Sequence, residues 1–101
     1  MLVYNVTVKI IPAIEGDWVR WMKQEHIPDI LATGHFYEGK LCRLLDQDES
    51  EGITYVAQYF TETEEKYRRY LQENAPDLRK KSFEKWGDQF IAFRTVMKIV
   101  N

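Results

Sequence analysis

His26 stands two residues before Pro28, and that pair is the first place in the chain where chemistry could be done. An imidazole titrates near neutral pH and can accept or donate a proton. The break that Pro28 forces in a helix would aim the ring into the space between helix and sheet. The plainer alternative has His26 capping the broken helix or lying in solvent. Arg94 is the second candidate, because it sits among Ile91, Ala92, Phe93 and Val96. A guanidinium in such company needs a carboxylate, a carbonyl or a bound anion, and an intersubunit ion pair would serve equally. Tyr55 and Tyr59 share one face of a strand and could offer hydroxyls to a ligand, although aromatic strand residues more often simply pack. Trp18, Trp21 and Trp86 read as core, with Trp21 also a candidate ligand contact.

Other chemistries lack their residues. Two histidines and one cysteine, far apart in sequence, do not make a metal site. No glycine-rich phosphate loop or nucleophile motif is present, and neither a metal nor a cofactor is expected. Fourteen basic against sixteen acidic side chains leave a net charge of -2, which gives nucleic acid or an anionic membrane no field to follow. Residues 53–60 also lack the glycine-aromatic signature of an RNA-binding sheet. Cys42 has no partner for an internal disulfide, falls in a predicted strand and reads as a small buried hydrophobe. Residues 1–11 carry no charged leader or cleavage site, and no apolar stretch approaches the ~20 residues of a membrane helix. Cytoplasmic residence is the expectation.

The elements that must position these residues follow from periodicity. In residues 2–11, Leu2, Tyr4, Val6, Val8 and Ile10 alternate with Val3, Asn5, Thr7 and Lys9, the pattern of a strand. Gly16 and Asp17 mark a helix start, and Ile14, Trp18, Trp21 and Met22 put four large apolar groups on one face. Pro28 should break this helix near residues 24–28, and Gly34 should close its second piece. Residues 35–45 read as a strand interrupted at Gly39 by a bulge or a close backbone approach. After the acidic connection 46–52, residues 53–60 form its hairpin partner. Thr61 and Glu64 have the spacing of a capping box for a second helix carrying Tyr67, Tyr70, Leu71 and Ala75. Pro76 interrupts that helix, and a further piece bears Leu78, Phe83 and Trp86 before Gly87. Residues 89–101 are a last strand, with Ile91, Phe93, Met97 and Ile99 on one face and Ala92, Arg94, Val96 and Lys98 on the other.

This order predicts one α+β domain over residues 1–101. The fold is the ferredoxin-like βαββαβ arrangement, with a four-stranded antiparallel sheet and two helices on one face. The opposite face is then bare, yet the strands carry apolar or aromatic groups on both sides, Tyr55, Ala57 and Tyr59 against Val56 and Phe60. Two sheets packed face to face about a two-fold axis would cover both bare faces, which predicts a homodimer through the sheet face.

Residues 1–8 resemble the opening of a short bacterial family, domain of unknown function 4286. Trp18, Trp21, Met22, His26, Ile27, Pro28, Thr33, Gly34 and Phe36 resemble its first helix, and Tyr55, Gln58, Tyr59, Phe93, Arg94 and Thr95 resemble its later strands. The resemblance spans nearly the whole chain and implies no activity. More broadly the chain is similar to the dimeric α+β barrel superfamily, whose members include small monooxygenases, haem-degrading enzymes, isomerases and non-catalytic binders. A histidine shortly before a proline recurs in several of its enzymes, as His26 and Pro28 do here. The haem-degrading branch has an asparagine on strand one, which implies a ligand contact for Asn5. It also has a histidine on the second helix, where this chain has none. The expected function is a homodimeric module that binds a small apolar or aromatic molecule, through His26, Tyr55, Arg94, Asn5 and Trp21, or regulates through it. The alternatives are a cofactor-independent monooxygenase or isomerase with His26 as catalytic base, and a structural partner protein without a ligand.

Overall fold

A computed structural model describes residues 1–101, and its sheet has the order β2-β3-β1-β4 with every neighbouring pair antiparallel. Strand β1 (Leu2–Ile10) pairs along its whole length with both β3 (Ile53–Thr61) and β4 (Phe90–Lys98), and β2 (Glu38–Arg43) lies outside β3. The element order is the predicted βαββαβ, with each helical segment broken in two. The fold is ferredoxin-like.

The first break is not a bare proline kink. A 3-10 turn (Pro12–Ile14) leads into α1 (Glu15–Trp21), Met22–His26 winds as a π-helical turn, and α2 (Ile27–Ala32) resumes with Pro28 in its first turn. Pro28 has no N–H to donate, so the backbone widens before it: Ile27 N–H reaches Met22 O, five residues back. The second break is simpler. Helix α3 (Glu64–Glu73) ends at Asn74, and α4 (Ala75–Trp86) starts with Pro76 in its first turn, where a missing N–H costs nothing. Gly87 then closes α4 at φ 59°.

Alternation assigns the faces. Tyr4, Val8 and Ile10 from β1 and Ile53, Tyr55, Ala57 and Tyr59 from β3 pack with Trp18, Met22, Ile30, Tyr70, Leu78 and Trp86 in one core between sheet and helices. Tyr4 is its centre, with Phe36, Tyr59, Tyr67 and Tyr70 at ring distances of 5.5–6.1 Å. Gly39 marks a close approach rather than a bulge. Pairing with β3 is unbroken across it, and a Cβ there would stand 3.0 Å from Ile27 Cγ2 of α2.

The other side of the sheet has no layer over it. Ile91 and Phe93 are 65% and 64% exposed there, and Met97 45%. Across its middle run Thr95, Asn5 and Gln58, with Thr7 beside them. The only charges that this side of the strands carries are Lys9, Glu38 and Lys40, toward its margins.

Three local expectations need correcting. Thr61 does not cap α3; it is the last residue of β3, paired with Leu2, and Thr63 is the cap, its Oγ1 accepting from Lys66 N–H at 3.2 Å. Cys42 is exposed on the open side of β2 rather than buried. The strand read from residue 35 starts only at Glu38, and His35 before it is partly buried, its Nε2 3.8 Å from Glu73. No helix is long and apolar enough to cross a membrane.

Candidate functional site

The π-helical turn is what brings His26 inward. Trp18 is buried before it, Met22 at its first residue and Ile30 after it, so both flanking helices keep their apolar stripe on the sheet. The wider turn swings His26 against Trp21, their rings stacked at 4.6 Å and 21°. Facing them, α4 presents Arg79, Ser82 and Trp86 at spacings of three and four, and the register of β1 with β4 sets Arg94 beside Val6 and Ala92 beside Val8.

These residues line a cavity of ≈ 50 Å³ between the helices and strands β1 and β4, walled mainly by apolar groups such as Trp18, Met22 and Phe90. A second cavity of ≈ 30 Å³ shares His26, Arg79, Ser82 and Arg94 with it and reaches toward Tyr4 and Tyr70. By that measure each has room for a few waters, well short of a drug-sized site. On the outer side of the π turn an open depression of ≈ 360 Å³ is bounded by Trp21, Gln24, His26, Asp29 and Lys81. His26 is thus common to an outer bowl and two inner cavities.

Burial lowers the His26 pKa to about 4; Asp29 pulls it back up, while Arg94 and Lys81 push it further down. The ring is therefore uncharged at neutral pH, and one nitrogen can donate while the other accepts. No side-chain hydrogen bond engages either nitrogen. Trp86 lines the cavity too, and its Nε1 is buried without an acceptor.

Of the residues singled out by sequence, His26, Trp21 and Arg94 come together in one place. Tyr55 does not join them. Its hydroxyl donates to Glu15 Oε2 at 2.7 Å, and Arg43 ties the same carboxylate to Glu49, so Tyr55 belongs to a polar clasp toward β2. Burial first, then that carboxylate, raises its phenol pKa to about 12. Asn5 lies through the sheet from His26: its side chain is on the open side, Nδ2 3.7 Å from Met97 Sδ and Oδ1 buried without a partner. Strand parity explains this, because Asn5 alternates with Tyr4 and Val6. Sequence reasoning passed over Arg79 and Ser82, although their spacing from Trp86 marks a helix face that also points at the sheet. No three histidine, cysteine or acidic side chains meet as metal ligands.

Among known proteins, a family described as domain of unknown function (DUF4286) matches residues 1–100. No curated protein matches by sequence. Several solved structures share the fold. A dimeric ferredoxin-like protein from an uncultured marine organism aligns with a TM-score of 0.70 at 10% identity, over 99% of this chain and 95% of its own. MhuD, solved with two manganese protoporphyrin IX per active site, aligns with a TM-score of 0.64 at 15% identity, over 98% and 95%. SnoaB, a cofactor-independent oxygenase from Streptomyces nogalater, gives 0.62 at 10% identity, over 99% and 94%. At these identities the likeness is one of fold.

Proposed function

The chain belongs to the DUF4286 family, and we propose that it works as a homodimeric binding module holding a small, partly apolar molecule between sheet and helices at His26. The observation that carries the reading is His26 itself. It is an uncharged imidazole with no side-chain hydrogen-bond partner in the protein, set in an aromatic wall between an outer bowl and inner cavities. The ≈ 50 Å³ cavity means that the wall must yield to admit a ligand. The π turn supplies a wall of backbone that is not locked into α-helical hydrogen bonding.

The homodimer is supported by the open side of the sheet, where Ile91, Phe93 and Met97 form an apolar patch of the kind that marks association. A two-fold partner presenting the same patch would cover it.

A second reading, a cofactor-independent oxygenase or isomerase with His26 as base, is favoured by one fact: the imidazole is unprotonated at neutral pH. Against it, a conjugate acid near pH 4 makes a weak base, below the range that suits proton abstraction at pH 7. Native mass spectrometry of the protein from its own host tests the main reading by looking for a retained compound. His26→Ala should lose that compound while keeping the circular dichroism of the folded chain. A variant that unfolds instead would identify His26 as structural.

A further inference from the structure

Resting on the reading that a small molecule binds at His26, we propose that this molecule carries an anionic group, in the simplest case a carboxylate. Arg79 and Arg94 receive the anion and Trp86 supplies an indole N–H.

The arginines of this chain divide cleanly. Arg20 pairs with Asp17, Arg43 with Glu15 and Glu49, Arg68 with Glu64 and Arg69 with Glu73, at 2.6–3.5 Å. The two without a carboxylate are Arg79 and Arg94, and both line the His26 cavities. Arg79 has one side-chain hydrogen bond, to the Tyr4 hydroxyl at 3.1 Å, and Arg94 has none. Acidic residues are not scarce in this chain, which has more of them than basic ones. Neither inner cavity has one in its wall, and Glu25 and Asp29 border only the outer bowl of these three hollows.

The wall therefore has a surplus of donors. Neither guanidinium fork has a carboxylate, the Trp86 Nε1–H is buried without a partner, and Ser82 adds a hydroxyl. A carboxylate is the group that fills such a set, since a guanidinium binds it through two parallel bonds. Both arginines are exposed residues at the rim of the cavities, so the anion need not be stripped completely of solvent. The remaining wall, with Trp18, Trp21 and Phe90, suits a flat apolar body. The ligand class is an aromatic or short aliphatic acid.

Phenylacetate and its neutral isostere phenylacetamide test this on the intact protein, followed by the Trp86 indole N–H resonance and by calorimetry. The acid should bind roughly tenfold or more tightly than the amide. Arg79→Gln and Arg94→Gln should each remove most of that preference by weakening the acid far more than the amide, and Arg94→Lys should restore part of it. Circular dichroism checks that each variant is folded. Equal binding of acid and amide, or a preference that survives both glutamine variants, overturns the anion assignment and leaves the binding reading standing. If neither probe moves any cavity resonance up to its solubility limit, the binding reading falls and takes this inference with it.

Discussion

His26 links the site to the stability of the whole chain, because burial keeps its ring from taking up a proton until the pH approaches 4. In the unfolded chain the same ring would be protonated below about 6.5. Between those values the unfolded state binds more protons, so stability rises with pH. The contribution is complete above about pH 6.5 and gone below about pH 4. The span corresponds to at most ~3 kcal/mol. Urea midpoints should fall between pH 7 and 5, and His26→Gln should flatten that part of the profile. An imidazole resonance titrating near 6.5 would instead put the ring in solvent. The sequence led to His26 because a proline two residues on must disturb a helix. It led to Arg94 because a charge among apolar neighbours demands a partner. Tyr55 and Asn5 were misplaced for two different reasons. Tyr55 is on the right face but pairs with Val8 and leans toward Arg43, a matter of register that no single strand reveals. Asn5 was placed by resemblance to other proteins, against the parity of its own strand.

The helix breaks carry the same lesson at the level of elements. Each proline announces an interruption, yet only the backbone distinguishes the π turn before Pro28 from the short stop and restart at Pro76. The start of α3 is another instance. The pattern Thr61, Glu64 has capping-box spacing, but Thr61 is held in β3 by its pairing with Leu2, and the cap passes to Thr63. The two threonines should therefore answer mutation oppositely. Thr63→Ala removes the cap bond and should cost ~1 kcal/mol. Thr61→Val replaces a fully buried hydroxyl that has no hydrogen-bond partner with a methyl of the same shape, and should leave stability equal or higher. Urea denaturation of the pair decides it; a large loss from Thr61→Val would return the cap to Thr61. Four strands and two broken helices were otherwise legible, because period-two and helical spacing are written in the apolar residues themselves.

The molecule as a whole is a slab, 38 × 32 × 19 Å, with helices on one broad side and bare sheet on the other. Phe93→Lys sets a charge on the edge strand of that bare side, opposite Thr7 and on the other face of the sheet from the cavity. Light scattering should then report one chain where the parent reports two, with unchanged circular dichroism. A parent that already scatters as one chain would end the dimer proposal. Because strand alternation sends Phe93 to one side and Arg94 to the other, contact with a twin and capture of an acid draw on opposite surfaces. Each copy should fill on its own account, at one equivalent per chain along a simple hyperbola, and the pair should hold together equally well empty or full.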